Sequence, residues 1–225
     1  MHFKQLSFIL ILVVFFAACD FKTAEYYLSA AESLSDKGEY LEANKLLDKA
    51  IEKNNQYWGA YINRGANKSL LNDFEGAIED YQIVLKSDKK NTLALFNIAN
   101  NYKRLEEYQK AVDYYNEAFN SKGGQELYIN YHQNDFLNLY ESDVPGHEIN
   151  YERGIAYYYL GNLEEAFNDF SSSISKNYLP EECYYWIGFI YVTTGQLDLA
   201  CENFTLSKQF GNKDAESALK KYCKN

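Results

Sequence analysis

The sequence predicts an all-α fold built from repeated pairs of helices, and two observations carry this prediction. A turn recurs every 34 residues, at Gly38, Asn72 and Glu106, and returns at Gly161 and Gly195 in a frame displaced by 21 residues. Around each turn the apolar residues are spaced by three, four and seven positions, which is the period of a buried helix face. Because a fixed period of this length is the signature of stacked repeats, we expect five units. They span residues 24–57, 58–91, 92–125, 147–180 and 181–214.

Small residues recur in each unit where two helices would have to approach closely. They are Ala31, Gly65, Ala99, Gly154 and Gly188 in the first helices and Ala43, Ala77, Ala111, Ala166 and Ala200 in the second. Large side chains recur later in the second helices, at Leu47, Tyr81, Tyr115, Phe170 and Phe204. These aligned positions resemble the tetratricopeptide (TPR) repeat. Arg64 and Lys68 depart from its pattern because they stand at positions that are usually apolar.

The resemblance implies a right-handed superhelical solenoid of five helix-turn-helix repeats. Residues 24–125 would form repeats 1–3 and residues 147–214 repeats 4 and 5. Residues 215–225 have one apolar and one charged side, which fits the polar cap that the end of a solenoid needs. We therefore predict a C-terminal capping helix there.

Residues 1–18 have the features of a secretory signal peptide. A charged start precedes an apolar run from Phe8 to Phe16, which is too short to span a membrane. Phe16-Ala17-Ala18-Cys19 resembles the lipobox of bacterial lipoproteins, in which the signal is cut before an acylated cysteine. The resemblance implies lipidation at Cys19, followed by a short spacer over residues 19–23. It also implies a place in the bacterial cell envelope, on the inner or outer membrane, periplasmic or surface-exposed.

Residues 126–146 interrupt the period between the third and fourth units. Apolar residues within them could form a helical stripe, and the sequence Ser142-Asp143-Val144-Pro145-Gly146 would end it. This insert is predicted to be either an extra helix or a loop over one face of the repeats.

The first helix of each unit has a second face that, in TPR proteins, lines a peptide-binding groove. In the fourth and fifth units this face is apolar and rich in tyrosine, which usually marks an interaction surface. Asn63 and Asn97 resemble the groove asparagines of chaperone-tail-binding TPR domains. The hypothesised partner-binding residues are Tyr151, Tyr158, Tyr185, Trp186, Phe189, Asn63 and Asn97.

An alternative has equal weight, because the insert is apolar enough to cover the aromatic face itself. Lys103 and Arg104 could hold a carboxylate. A chaperone-type carboxylate clamp is nevertheless not expected, since Leu28 and Glu32 stand where the first unit would need charge-complementary groups.

Three cysteines remain once Cys19 is assigned to lipid, and an exported chain meets an oxidising compartment. The stretch from Cys201 to Cys223 resembles the end of some bacterial TPR and Sel1-like proteins. This resemblance implies a possible disulfide between Cys201 and Cys223, which leaves Cys183 unpaired. The alternative is that all three are buried thiols that act as small apolar residues.

The composition and motifs exclude several classes of function. With 22 Lys and Arg against 32 Asp and Glu, the formal net charge is −10, and the sequence has no basic tract for nucleic acid. It contains no phosphate-binding loop, dinucleotide fingerprint or nucleophile elbow, and no HExxH or CxxC metal motif. We therefore predict no enzyme activity, no cofactor and no metal.

The predicted function is that of a non-catalytic protein–protein interaction scaffold or adaptor. Its partner would be a protein or peptide in the envelope, and the lipid would attach it to the membrane. An alternative is a glycan- or small-ligand-binding envelope lipoprotein that uses the aromatic patch. A third is a structural repeat protein whose patch is covered by its own chain.

Overall fold

The computed structural model describes residues 21–123 and 144–223, which are all-α, as the sequence predicts. The signal peptide, Cys19 and most of the insert lie outside these residues. The described helices are α1 (Ala24–Ser35), α2 (Tyr40–Lys53), α3 (Trp58–Leu70), α4 (Phe74–Ser87), α5 (Thr92–Arg104), α6 (Tyr108–Ala118), α7 (Gly146–Leu160), α8 (Leu163–Ser175), α9 (Pro180–Thr193), α10 (Leu197–Phe210) and α11 (Ala215–Tyr222).

The chain divides into two compact units, Met1–Asn63 and Arg64–Asn225, and α3 crosses the boundary. In the first unit α1 and α2 form an antiparallel pair. Each helix contributes one apolar stripe to the core between them. The residues of these stripes are buried: Tyr27, Leu28, Ala31, Ala43, Leu47 and Ala50. Burial of this stripe is the main stabilising term for a helix pair of this length.

In the second unit the paired helices meet where a glycine faces a large ring. A Cβ placed on Gly65 would lie 2.9 Å from the Cζ of Tyr81, and one on Gly154 would lie 2.9 Å from the Cε1 of Phe170. Tyr81 and Phe170 are almost completely buried. The recurring small residues of the sequence are therefore the places where a ring from the second helix fills the space beside the first.

Two of these helix pairs also contain a buried ion pair. Arg64 donates from Nε and Nη2 to the Asp80 carboxylate at 2.9 and 2.6 Å, and Lys68 lies 2.9 Å from the same group. Arg153 donates to Asp169 in the same way, at 2.8 and 2.7 Å. Arg64 and Lys68 depart from the apolar pattern because both pair with Asp80, which lies on the facing helix sixteen residues after Arg64.

Helices α6 and α7 pack directly on each other although the insert separates them in the sequence. Arg153 of α7 donates to the Oδ1 of Asn116 at 2.8 Å, and Tyr159 stacks on Tyr108 with ring centroids 4.9 Å apart. The segment Phe119–Gly123 follows α6, and its backbone departs from helical geometry at Ser121. The repeats on the two sides of the insert therefore contact each other as consecutive repeats do.

The C-terminal helix covers the last repeat. Ala215 and Ala218 are buried, and Leu219 and Tyr222 pack against the cluster around Phe204. A disulfide joins Cys201 of α10 to Cys223, with their Cα atoms 5.7 Å apart. Helix α11 is the predicted cap, and it is held by apolar contact and by a covalent bond.

Candidate interaction surface

Six aromatic residues of α7 and α9 form one continuous surface, which we call the aromatic belt: Tyr151, Tyr158, Tyr159, Tyr185, Trp186 and Phe189. The ring centroids of Tyr158 and Trp186 are 5.2 Å apart in an edge-to-face arrangement, and the ring centroid of Tyr159 lies 6.0 Å from that of Trp186. Trp186 is followed by Phe189 at 6.4 Å, and Phe189 by Tyr185 at 4.9 Å. The helical spacing of three and four residues places these side chains on one face of each helix.

The belt packs on the core with one side and is partly exposed on the other. Trp186 stacks on the buried ring of Phe170, and Phe189 meets the buried ring of Phe204 at 5.2 Å. Tyr159 remains 53% exposed, and the other members are half-buried. Packing on the core therefore explains part of the aromatic content of this face. The exposed parts of the same rings remain accessible to a partner.

Tyr151 joins the belt at the buried ring of Phe170, because its own ring lies 6.1 Å from that of Phe170, on which Trp186 also stacks. The Tyr151 ring also lies 6.1 Å from that of Tyr178. Burial raises the pKa of Tyr151 well above its ordinary value, and the nearby carboxylates of Glu152 and Glu182 raise it further. Tyr151 is therefore a neutral hydrogen-bonding group at physiological pH.

Negative charge surrounds the belt. Burial and Glu152 raise the pKa of Glu148, and burial, Glu181 and Asp214 raise the pKa of Glu182. Glu152 pairs with Lys103 of α5. Lys103 is therefore engaged within the chain and does not project as a free cation, so the sequence-based idea that it could hold a partner's carboxylate loses its basis.

A cleft of about 420 Å³ lies beside α5 in the same unit, and we call it the polar cleft after the polar side chains in its walls, although most of its exposed lining is apolar. Its walls are Ala66, Ser69, Leu70, Asn72, Phe74, Tyr81, Asn97, Asn100, Asn101 and Arg104. Asn101 is fixed inside it, because it accepts a hydrogen bond from Ser69 at 2.8 Å and donates one to the carbonyl of Asn97 at 2.7 Å. The Arg104 guanidinium lies over the Phe74 ring at its rim. Asn97 thus lines a preformed cleft that offers amide groups.

The structure brings five of the hypothesised residues together in the belt and leaves the asparagines elsewhere. Asn97 lines the polar cleft, and Asn63, in the first unit, donates its Nδ2 hydrogen bond to the Oε1 of Glu32 at 3.1 Å. Tyr159 stands directly beside Tyr158 on the predicted aromatic face but was not among the selected residues, and Tyr178, which lies next to the belt, was missed. The run of three consecutive tyrosines at 157–159 was the available signal for Tyr159.

The described segments contain no cluster of His, Cys, Asp or Glu that could hold a metal ion. His147 lies against Tyr178, with ring centroids 4.9 Å apart. Among the described helices, none is both long and apolar enough to cross a bilayer.

Comparisons with known proteins identify the repeats. Family models of the tetratricopeptide repeat match residues 71–124 and 181–208. A TPR repeat-containing protein of Methanocaldococcus jannaschii is 26% identical over 208 residues, which cover 80% of this chain and 35% of that protein. The chain thus spans about a third of the length of that curated relative. The two matched segments are similar to TPR repeats.

Solved structures of low sequence identity share the fold. The part of MamA from Desulfovibrio magneticus RS-1 that begins at its residue 41 aligns with a TM-score of 0.69 at 16% identity, covering 83% of this chain and 93% of that one. YrrB, described as a TPR protein with an unusual peptide-binding site, gives 0.67 at 18% identity, with 88% and 92% covered. PilF of Pseudomonas aeruginosa gives 0.66 at 17%, with 87% and 80% covered. The predicted TPR fold is confirmed.

Proposed function

We propose that this protein is a non-catalytic protein–protein interaction scaffold that is exported and anchored by a lipid at Cys19 in the bacterial cell envelope. A protein or peptide segment binds to it through the aromatic belt. The polar cleft lined by Asn97 offers a second contact for the same segment.

The observation that carries this proposal is the belt itself. Aromatic side chains dominate interface energetics because each contributes a large area at a small cost in conformational entropy. Here Tyr158, Tyr159 and Trp186 form a preassembled group whose members hold each other in place. A partner therefore meets a surface that needs little further ordering, and this favours affinity.

The same contacts give less support to the glycan-binding alternative. A sugar stacks on an open face of a planar ring, and Trp186 is the ring best suited to this. One of its faces already stacks on Phe170, and Tyr158 approaches it at an interplanar angle of 60°. A peptide fits better, because its side chains can enter between rings and its backbone can use the side-chain amide of Asn97 and the Nδ2 of Asn100, whose Oδ1 already accepts a hydrogen bond from Tyr115. YrrB, which shares this fold, is described as having an unusual peptide-binding site.

Two features support the location in the envelope. The lipobox-like sequence before Cys19 provides the export signal and the anchor, and two or three acyl chains on this residue would give stable membrane attachment. The disulfide between Cys201 and Cys223 fits an oxidising compartment, since such bonds are rare in a reducing cytosol.

Crosslinking in living cells tests the scaffold function. The tagged full-length protein is compared with a Tyr158→Ala/Tyr159→Ala variant, and crosslinked partners are identified by mass spectrometry. Trp186 and Phe189 are left intact because they pack on Phe170 and Phe204. We expect a specific protein partner that is lost from the variant while its helical circular dichroism is retained.

The matched control is Phe210→Ala. Phe210 is 51% exposed, close to the 53% of Tyr159, and it stacks on Tyr184, which is not a member of the belt. Loss of the partner in both variants, or in neither, would contradict a binding site on the belt.

Metabolic labelling with palmitate tests the anchor. We expect the wild-type protein to carry label and to sediment with membranes, and Cys19→Ser to lose both properties. A Cys183→Ser variant serves as the control for a cysteine elsewhere in the chain. An unlabelled wild-type protein in the cytosol would contradict the proposed location.

A further inference from the structure

The fourth and fifth repeats present the same Glu and Tyr pair at equivalent positions of their first helices. Glu148 and Tyr151 of α7 recur as Glu182 and Tyr185 of α9, 34 residues later. In each pair the two residues are three apart and therefore lie on one helix face. Neither the first three repeats nor the TPR resemblance accounts for this repetition, because the corresponding positions there hold Glu25 and Leu28, Gly59 and Ile62, and Leu93 and Phe96.

The carboxylates act on the aromatic belt as one group. Glu152 and Glu182 both raise the pKa of Tyr151, and Asp214 and Glu182 both raise the pKa of Tyr185. Within the described part of the chain, no Lys or Arg lowers the pKa of Tyr151 or Tyr185. Negative potential is therefore concentrated over the belt from both helices.

This negative charge is largely uncompensated. Glu152 pairs with Lys103, and Arg153, the cation of α7, is turned to Asp169. Among the residues that the structure describes, no ion pair engages the remaining carboxylates, which are those of Glu148, Glu181, Glu182 and Asp214. Glu148 and Glu182 are partly buried, and burial raises the pKa of both, so their charged forms carry a cost to the folded state.

Aromatic rings beside unpaired carboxylates form a surface that recognises cations. An ammonium or guanidinium group is attracted to the face of a Tyr or Trp ring, and a neighbouring carboxylate adds a charge-assisted hydrogen bond. An acidic partner would be repelled, and a neutral apolar one would desolvate the carboxylates without compensation. A second copy of this chain, which carries a formal net charge of −10, is also a poor electrostatic match.

We infer that the aromatic belt binds a basic peptide segment with at least two Lys or Arg side chains, one at the Glu148–Tyr151 pair and one at the Glu182–Tyr185 pair. This inference rests on the proposed function, because it names the chemistry of the partner that the belt takes. Lys or Arg of the segment lies over the tyrosine ring and pairs with the glutamate of the same repeat. The belt thus selects its partner by charge as well as by apolar area.

Panning of a random dodecapeptide library against the full-length protein in detergent tests the inference. We expect enriched peptides with two or more basic residues, and their affinity should fall at least about tenfold for Glu148→Gln/Glu182→Gln. This variant keeps side-chain volume and removes only charge. The matched control is Glu164→Gln/Glu165→Gln, which removes two exposed carboxylates from α8 and should leave the affinity unchanged.

The outcomes separate this inference from the proposed function. Peptides that need Tyr158 and Tyr159 but are neutral or acidic, or that bind the Glu148→Gln/Glu182→Gln variant equally well, overturn the inference and leave the scaffold function standing. If no enriched peptide loses affinity for the Tyr158→Ala/Tyr159→Ala variant, both the inference and the belt as a binding site are overturned.

Discussion

Phe204 fills the space that Gly188 leaves open on the facing helix. A Cβ placed on Gly188 would lie 2.5 Å from the Cε1 and 2.6 Å from the Cδ1 of Phe204, whose ring is fully buried. The ring also supports Phe189 of the aromatic belt, with centroids 5.2 Å apart. The close approach of α9 and α10 and the position of a belt residue thus depend on the same glycine.

Gly188→Ala should therefore destabilise the protein. We expect a loss of about 1–3 kcal/mol in the free energy of unfolding, because an added methyl group in a filled core forces its neighbours to shift. Urea unfolding followed by circular dichroism measures this loss. Adding Phe204→Leu should recover part of it, since the smaller side chain makes room. Strictly additive effects of the two changes would show that the contact does not limit the packing.

Asp80→Ala should cost more than removal of any exposed carboxylate. Asp80 is 2% exposed and accepts from both Arg64 and Lys68, so its loss leaves two cations without this acceptor. Breaking a buried ion pair from one side typically costs about 3–5 kcal/mol. Glu79→Ala, one residue earlier and exposed, is the control and should stay within about 0.5 kcal/mol of wild type. Similar unfolding midpoints for the two variants would refute the prediction.

Glu106→Gly should stabilise the protein. Glu106 has a φ of 61°, in the left-handed region that disfavours side chains, whereas Gly161 and Gly195 fill the same turn in other repeats. We expect a gain of about 0.5–1 kcal/mol, which is the relief of strain less the greater entropy of an unfolded glycine. Asn72→Gly tests the reasoning, because Asn tolerates this conformation and should give almost no gain.

Loss of the disulfide should release the C-terminal helix. The bond spans 22 residues, and closing a loop of this length contributes about 3 kcal/mol in the chain-entropy account. Reduction, or Cys201→Ser/Cys223→Ser, should lower the free energy of unfolding by that amount, and reductant should have no effect on the double variant. An equal response of both proteins to reductant would contradict a structural role for the bond.

Cys183 provides an internal control in the same experiment. Burial raises the pKa of its thiol to about 12, so almost no thiolate exists at neutral pH. Iodoacetamide should therefore modify Cys183 only after unfolding, while the reduced pair of Cys201 and Cys223 should react in the folded protein.

Glu148→Gln should raise stability at neutral pH. Burial and Glu152 raise the pKa of Glu148, so the folded protein binds this proton more tightly than the unfolded chain. The carboxylate consequently lowers stability above the raised pKa, and its penalty vanishes as the pH falls below the unfolded value. The variant should be more stable than wild type at neutral pH and equal to it near about pH 3. A constant difference over this range would point to packing instead of charge.

The sequence was sufficient to predict the helix pairs, because their two signals are local. A turn every 34 residues and the small residues at the helix crossings depend only on chain geometry, and they predicted the all-α fold with its capping helix α11. The Arg64–Asp80 and Arg153–Asp169 pairs were not foreseen, although the spacing of sixteen residues is identical in both. Each of these pairs joins two facing helices, and the apolar period of a single helix carries no information about such a contact.

The aromatic surface was only partly predictable, because helical periodicity says which face a side chain occupies and not how deeply it is packed. Tyr151, Tyr158, Tyr185, Trp186 and Phe189 were all selected as exposed groups, yet Phe189 and Trp186 also rest on core rings. Lys103 could not be recognised as engaged, since its partner Glu152 is 49 residues away and beyond the insert.

The second and fourth repeats each contain a buried ion pair between their two helices, and the third and fifth repeats have no charged residues at these positions. This difference affects how the chain folds. Neighbouring repeats are similar enough that a first helix could pair with the second helix of the wrong repeat during folding. Exchange of Arg64 or Arg153 into an adjacent repeat would bury a guanidinium without Asp80 or Asp169, and this mismatch costs several kcal/mol. The two ion pairs therefore mark the second and fourth hairpins as different from the third and fifth, whose corresponding residues are Ile98 with Tyr114 and Ile187 with Asn203. The ion pairs therefore favour pairing of each first helix with the second helix of its own repeat over pairing with the similar helix of a neighbouring repeat.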